Sequence, residues 1–577
     1  MKKPVATIPP DVNPADNQQA TQSKSTKIPM IFTLTFILCI LISIAPLVRL
    51  AGVTFYQLPT KFFLTLFGAW LPTDFGLTAD ARASQISTHG IIFVSLMAIA
   101  FIIYGLFAWV IHHHPTQASN TSTMRWIWIG TIICGLIYIL TPAMLSHDIF
   151  VYTGYGRIIT TYHANPYFVP LIHFPHDYFI PYDDWKKAIA AYGPIWLTIS
   201  AIFTPIIGDN TDRALLTYRL FAFAVHLVNT LLVTRLLRAT GQSERTVTLG
   251  TLLYALNPLL LEEGSLGGHN DEFMVTFFLL GLLFSIRSEQ SKTVGLRRYL
   301  PSLLAFTLAT LIKFTALPLA VFSLVMLMRN ELYPMTELSR RQKPQWKRAL
   351  RTLIPAGLIS TALILAIYAP YWIGHSINDI IGSFTAPPSS YLSYGSIHRA
   401  ISNWIAIYGL SPTNWFYIPM RVLSARDTWN KIDLVTLVLL LVVSIIWLWR
   451  SPTTRTLAMA SLATLGALLL VTPWFFSWYI VWLVGLAIAC LSVKYDRVGR
   501  ALVAATFTFS ASSLMLYIYQ LKKAPIGEWI GLDFLTTIGP PLAVLLIFLC
   551  LSIANKQHHS GSYPFIGGTG ESGGTPT

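Results

Sequence analysis

Asp148 and Arg157 stand nine residues apart in "SHDIFVYTGYGRIITTYHANPY", residues 146–167. The stretch follows an apolar run, "WIWIGTIICGLIYILTPAML", with the length and composition of a membrane span. A carboxylate at a membrane–water boundary is costly to desolvate, and one emerging directly from a span is a functional candidate by default. Partial burial raises its pKa, while a nearby cation lowers it and keeps it ionised. An ionised carboxylate at that depth can take a proton from a hydroxyl nucleophile, the general-base role. If the stretch is helical, Arg157 falls on the same broad face about 2.5 turns on. A guanidinium suits a phosphate, with which it makes paired hydrogen bonds. Spacing alone leaves a plainer reading equally open, in which Asp148 and Arg157 are an ion pair stapling a loop.

A second group lies in "NPLLLEEGSLGGHNDEFMV", where Glu262, Glu263, His269, Asp271 and Glu272 separate two apolar runs. Its glycines allow a tight turn. Asp271 and Glu272 precede a helix, where negative charge suits the N-terminal dipole. Capping by Asn270 or Asp271 is the ordinary explanation, but one cap does not need His269, Asn270, Asp271 and Glu272 together with two upstream glutamates. No conventional ligand spacing marks a metal site. Lys313, in "ATLIKFTALP", must snorkel, pair or face a cavity; a lipid phosphate is one partner and water the other. "TPWFFSWYIVW", which contains Trp474, and "YAPYW" read as aromatic interface belts or as walls for a sugar or prenyl chain. His112–His114 read as a chance cluster, and "NTS" at Asn120 falls on the wrong side of the membrane for glycosylation.

The elements that would position these groups follow from composition. Of 577 residues, 54% are hydrophobic and 11% charged, against about a quarter charged in soluble chains. Repeated apolar runs make an all-α, polytopic membrane protein. About fourteen spans are expected, beginning near Ile31, His89, Trp126, Leu215, Val247, Phe273, Leu300, Thr315, Leu353, Leu434, Thr456, Tyr479, Ala501 and Phe534. The net charge of +15 reflects lysines and arginines confined to loops on one side of a bilayer rather than nucleic-acid binding.

Those basic loops, both termini among them, are expected in the cytoplasm. The opposite face then receives 53–88, the catalytic loop 146–214, the acidic turn, residues 373–433, "TPWFFSWY" and "LKKAPIGEWIGLD". "GPIWLTISAIFTPIIG" (Gly193–Gly208) is short for a span and reads as an interfacial or re-entrant helix, with Tyr192 and Trp196 at headgroup level. The spans occupy 31–555. Residues 1–30 and 556–577 read as disordered tails, and the first span as an uncleaved anchor. Cys39, Cys134, Cys490 and Cys550 lie in apolar runs and form no disulfide framework.

The order "Y..YGR", "NPY", "YGPIW", "NPLLLEEGSLGGHND", "LIKFTALPL" and "PWFFSWY" resembles the polyprenol-phosphate-mannose-dependent α-1,6-mannosyltransferases of actinobacterial lipomannan synthesis, integral-membrane glycosyltransferases of the GT-C superfamily. The resemblance runs from about Leu145 to Tyr479. It implies a plasma-membrane enzyme that takes a sugar from a polyprenyl-phosphate donor on the outer face and passes it, with inversion, to a glycan or glycolipid hydroxyl. Asp148 matches the family's catalytic carboxylate. Arg157 and Lys313 match positions for the donor phosphate. His269, Asn270 and Asp271 match a substrate-facing turn, and Tyr152, Asn165, Tyr167, Tyr192 and Trp474 lie in the shared motifs as substrate-binding candidates. A phosphate monoester held by cations has less need of a divalent ion than a pyrophosphate, so neither metal nor cofactor is expected. Simpler GT-C enzymes carry the catalytic loop after their first span, whereas two spans precede it here. The rival class is a transporter or flippase of lipid-linked sugars, which should show repeat-related broken spans; none is evident in the sequence.

Overall fold

The computed structural model describes residues 14–54, 79–114, 121–141, 143–291, 295–334, 343–385, 395–408, 412–413, 415, 417–491, 497–517 and 532–560. Among these the architecture is all-helical, with no β-strand. A helix stands at each of the fourteen expected places. Nine described helices are long and apolar enough to cross a membrane. The other five begin near Val247, Phe273, Leu300, Tyr479 and Phe534; of these, Glu244–Ala255 has 12 residues and Asp271–Gln290 carries Asp271, Glu272, Arg287 and Glu289. Fourteen is thus the count of helices at the expected sites, and nine the count meeting the spanning requirement. Pro194–Ile207 is a helix of 14 residues, about 21 Å long at 1.5 Å per residue, too short to cross.

The N-terminal segment expected as a tail is partly helix: Pro14–Thr54 is continuous. Its polar half, "ADNQQATQSKSTK", contains Ala, Gln and Lys, which favour a helix, and Pro14 suits the first helical position. The Gly539–Ser560 helix likewise enters the C-terminal tail. Residues 1–13 and 561–577, most of the 53–88 loop, Asn120 and nearly all of "LKKAPIGEWIGLD" lie outside the described residues.

Three local devices position the site. Asn257 caps a four-residue helix, Pro258–Leu261, accepting from the Leu259 and Leu260 N–H groups at 3.0 and 3.4 Å. That helix continues as a π-turn over Glu262–Leu266; such turns recur at functional sites because they re-aim side chains. Gly268 closes the segment at φ +63°, where a side chain would be strained and a Cβ would meet Ile149 at 2.9 Å. Second, the Gly193 N–H donates to the Ile312 carbonyl at 2.9 Å, and a Cβ on Gly193 would strike the Leu311 carbonyl oxygen at 2.1 Å. Glycine therefore lets the "YGP" strand of chain lie against the break before Lys313.

Third, Arg219 in the Thr211–Ala239 helix is fully buried and donates to the carbonyls of Leu266 (2.8 Å), Thr141 (2.7 Å), Ile139 (3.2 Å) and Ala143. One guanidinium thus satisfies the open end of the Thr121–Ile139 helix and ties it to the acidic turn.

Candidate active site

Asp148 is the first residue of the helix Asp148–Thr160 and is 7% exposed. The hydroxyls of Tyr192 and Tyr152 donate to its Oδ2 at 3.3 and 3.4 Å. His269 Nδ1 faces the same oxygen at 3.6 Å, an ion-pair distance rather than a short hydrogen bond. On its other side His269 presents Nε2 to Glu263 Oε2 at 3.4 Å. The imidazole lies flat on Trp478, centroids 4.1 Å apart. Burial pushes the Asp148 carboxyl up, but His269, Lys313 and Ser146 outweigh it and hold Asp148 below the usual carboxylate value. Burial disfavours the charged His269 too; its two carboxylate neighbours, joined by Asp271, raise it above the usual histidine value. The arrangement is a carboxylate favoured in its ionised form at the head of a helix, faced by an imidazole whose hold on a proton is raised, and it can accept a proton from a bound hydroxyl.

Lys313 breaks two helices, Leu296–Ile312 and Leu317–Leu332, with the 3₁₀ turn Phe314–Ala316 after it. Its ammonium donates to Asp271 Oδ1 at 2.7 Å and lies 4.4 Å above the Tyr479 ring and 4.9 Å above Trp482. Trp482 Nε1 donates to the same Asp271 oxygen. Two hollows adjoin here. One, about 210 Å³, contains Asp148 with Ser146, His147, Asp184, Phe476 and Trp478. The other, about 380 Å³, contains Lys313, Arg426 and Asp433 among Phe314, Leu468 and Leu469. Trp185, Tyr192, Trp474 and Tyr479 line both.

The structure therefore brings together Asp148, Tyr152, Tyr192, His269, Asp271, Lys313 and Trp474. Asn270 is buried beside them with neither side-chain polar atom hydrogen-bonded. Three candidates fall elsewhere. Arg157 neither pairs with Asp148 nor faces either hollow, because nine residues of helix carry it about 13.5 Å along the axis. There its Nε meets Asp177 at 2.6 Å and its NH1 meets Asp209 at 2.8 Å. Asn165 accepts from the Tyr167 N–H and donates to the Tyr371 carbonyl at 2.6 Å, and the Tyr167 hydroxyl donates to the Tyr192 carbonyl at 2.8 Å. "NPY" is thus a folded corner that fixes Tyr192 rather than a contact surface. Glu272 is likewise engaged, by His226, Asn229 and Tyr254.

Sequence reasoning leaves out Arg426, although a charge heading an apolar run carries the signal that singles out Asp148. Nor does it reach Arg219, whose carbonyl partners come from distant loops, or the pairing of Glu263 with His269. Trp478 is visible only as one member of an aromatic run.

In comparison with known proteins, a family model spans less than half of the chain and includes Asp148, His269 and Lys313. The family model of the alpha-(1->6)-mannopyranosyltransferase N-terminal domain covers residues 61–329. An alpha-(1->6)-mannopyranosyltransferase of Mycobacterium tuberculosis is 24% identical over 197 residues, 33% of this chain and 31% of that protein. Alpha-(1->6)-mannopyranosyltransferase B of Corynebacterium glutamicum is 26% identical over 175 residues, 29% of this chain and 27% of that protein. Alpha-(1->6)-mannopyranosyltransferase A of M. tuberculosis aligns over 411 residues at 21% identity, 68% of this chain and 70% of that protein. The chain thus spans under a third of the length of the first two of these curated relatives and over two thirds of the last. No solved structure matches. The resemblance to α-1,6-mannosyltransferases carried by the motifs is borne out.

Proposed function

We propose that the protein is a membrane mannosyltransferase that moves mannose from a polyprenyl-phosphate donor to a hydroxyl of a glycan or glycolipid. One observation carries this reading: a hollow holding an ionised carboxylate adjoins a second holding Lys313 and Arg426 between apolar walls, and four aromatic side chains line both. The second hollow suits a phosphate with a lipid tail, and the aromatic boundary suits a sugar ring between phosphate and base. The acceptor oxygen attacks the anomeric carbon on the face opposite the phosphate. Its proton passes to Asp148, and the bonding pair of the broken C–O bond leaves with polyprenyl phosphate, whose charge Lys313 and Arg426 stabilise. Attack from that face inverts the centre.

The chain path supports an outer-face site. Helices leaving the site end in basic segments: Thr211–Ala239 at Arg238, Asp271–Gln290 near Arg287, Leu317–Leu332 at Arg329 and Arg426–Arg450 at Arg450. Positive charge marks the cytoplasmic side, so the site faces away from it. Two cations at the phosphate make a divalent ion unnecessary, and turnover in excess EDTA should equal that without it.

The test supplies purified protein with polyprenyl-phosphate-mannose and an oligomannoside, and compares the wild type with Asp148→Asn. Extended oligomannoside from the wild type alone supports the reading. Movement of the lipid-linked sugar across vesicle membranes without a new glycosidic bond would instead identify a flippase. Product from Asp148→Asn at the wild-type rate would leave the transferase standing and remove Asp148 as its base.

A further inference from the structure

We infer that Glu263 is a positioning residue for catalysis: together with Trp478 it orients His269, and His269 in turn holds Asp148 ready to accept a proton. This rests on the reading of Asp148 as the base. The geometry is a line of three groups from three chain segments. Asp148 heads one helix, His269 closes the acidic turn, and Glu263 lies in the π-turn. The imidazole nitrogens meet the two carboxylates at 3.6 and 3.4 Å, and all three residues are buried. Stacking on Trp478 restricts the ring's tilt. Glu263 is itself fixed from behind, since the Tyr517 hydroxyl donates to its Oε1 at 2.6 Å, leaving Oε2 toward the imidazole.

A buried imidazolium facing one carboxylate would lose much of its charge to desolvation; a second carboxylate opposes that loss. The groups acting on the line are Asp271 beside His269 and Glu263, Lys313 toward Asp148, and Glu262 and Tyr517 around Glu263. Burial raises Glu263 to about 7 against the opposing pull of His269 and Tyr517. No substrate atom needs to reach Glu263, which separates its role from that of Asp148.

The test uses full-length Glu263→Gln, which preserves size and an acceptor for Tyr517, alongside Glu263→Asp and Asp148→Asn. Loss of the second carboxylate lowers the affinity of His269 for its proton, and Asp148 then loses its facing cation at a lower pH. The alkaline limb of kcat/KM, on which His269 loses its proton, should move downward by about one pH unit, a roughly tenfold loss above the limb, with little loss below it. Glu263→Asp should restore part of the shift. Independently of turnover, the NMR titration of His269, assigned with His269→Gln, should show a lower midpoint in Glu263→Gln. An unmoved midpoint, or a uniform loss at every pH with an unmoved limb, would overturn the inference. Inactive Asp148→Asn with an unshifted Glu263→Gln profile refutes only the positioning role. Active Asp148→Asn refutes the base reading on which it rests.

Discussion

Lys313 donates to Asp271 at 2.7 Å from a position between two helices, and Asp271 is wholly buried at the head of a third. The pair therefore holds a cation at the edge of the larger hollow instead of letting it snorkel to water. Removing one partner leaves the other charge uncompensated, which costs about 3–5 kcal/mol for a buried pair. Lys313→Met should accordingly lower the thermal midpoint and also raise KM for the lipid-phosphate donor. Asp271→Asn should lower stability while retaining the cation, so its donor KM should change less. Thermal unfolding in detergent and donor saturation curves separate the two effects.

Asp148→Asn keeps the volume of the side chain and an oxygen for the Tyr152 and Tyr192 hydroxyls. It cannot accept a proton. The expected loss in kcat is about 10²–10⁴-fold, with a lower thermal midpoint because the buried His269 loses its facing carboxylate. An unchanged kcat on the folded protein would contradict the base assignment.

Arg157 gives the opposite pattern. Its partners Asp177 and Asp209 belong to the loop, and Tyr162 adds a hydroxyl to Asp177 at 2.9 Å. Arg157→Gln should destabilise the loop by about 3 kcal/mol, in the range for breaking a buried pair, and raise protease sensitivity around 174–186. Donor KM measured on the folded fraction should stay at the wild-type value.

What the sequence made legible divides along physical lines. Helices at all fourteen places follow from apolar run length, a local property. Asp148, His269, Asp271 and Lys313 are legible because charges are rare and costly beside apolar runs. The placement of Arg157 is not legible, since nine residues of spacing fix an angle on a helix but not which loop packs over it. "NPY" misleads for a similar reason. Its asparagine and tyrosine are polar, yet Asn165 and Tyr167 spend their hydrogen bonds on backbone carbonyls that only the folded loop brings near. The role of Glu263 depends on Tyr517, 254 residues away, and no periodicity reports such a contact.

Asp183 makes stability depend on pH in a predictable direction. It is buried, accepts from the Trp185 N–H at 2.7 Å, and is raised by burial to about 7. A carboxyl whose pKa is higher folded than unfolded binds more protons in the folded state. Its contribution is complete below the unfolded value and is lost as pH rises through about 7. Asp183→Asn should therefore raise the thermal midpoint more at about pH 8 than at about pH 5. Equal gains at both would show that the carboxyl titrates normally.

Arg219 is the residue whose replacement should disturb the site most without touching it. Its guanidinium serves four carbonyls, three at the end of the Thr121–Ile139 helix and one in the turn that carries Glu263 and His269. Lysine can supply charge but not the planar fork that reaches both segments at once. In Arg219→Lys at least one segment loses its donor, and each unsatisfied buried carbonyl costs about 1–3 kcal/mol. Because Ser146 to Asp148 follow one segment and His269 the other, the separation between Asp148 and His269 is set through Arg219. Arg219→Lys should then lower both the thermal midpoint and the affinity of His269 for its proton, the latter read by the same histidine titration. A variant less stable but with an unchanged His269 midpoint would show that the two segments keep their spacing without the guanidinium.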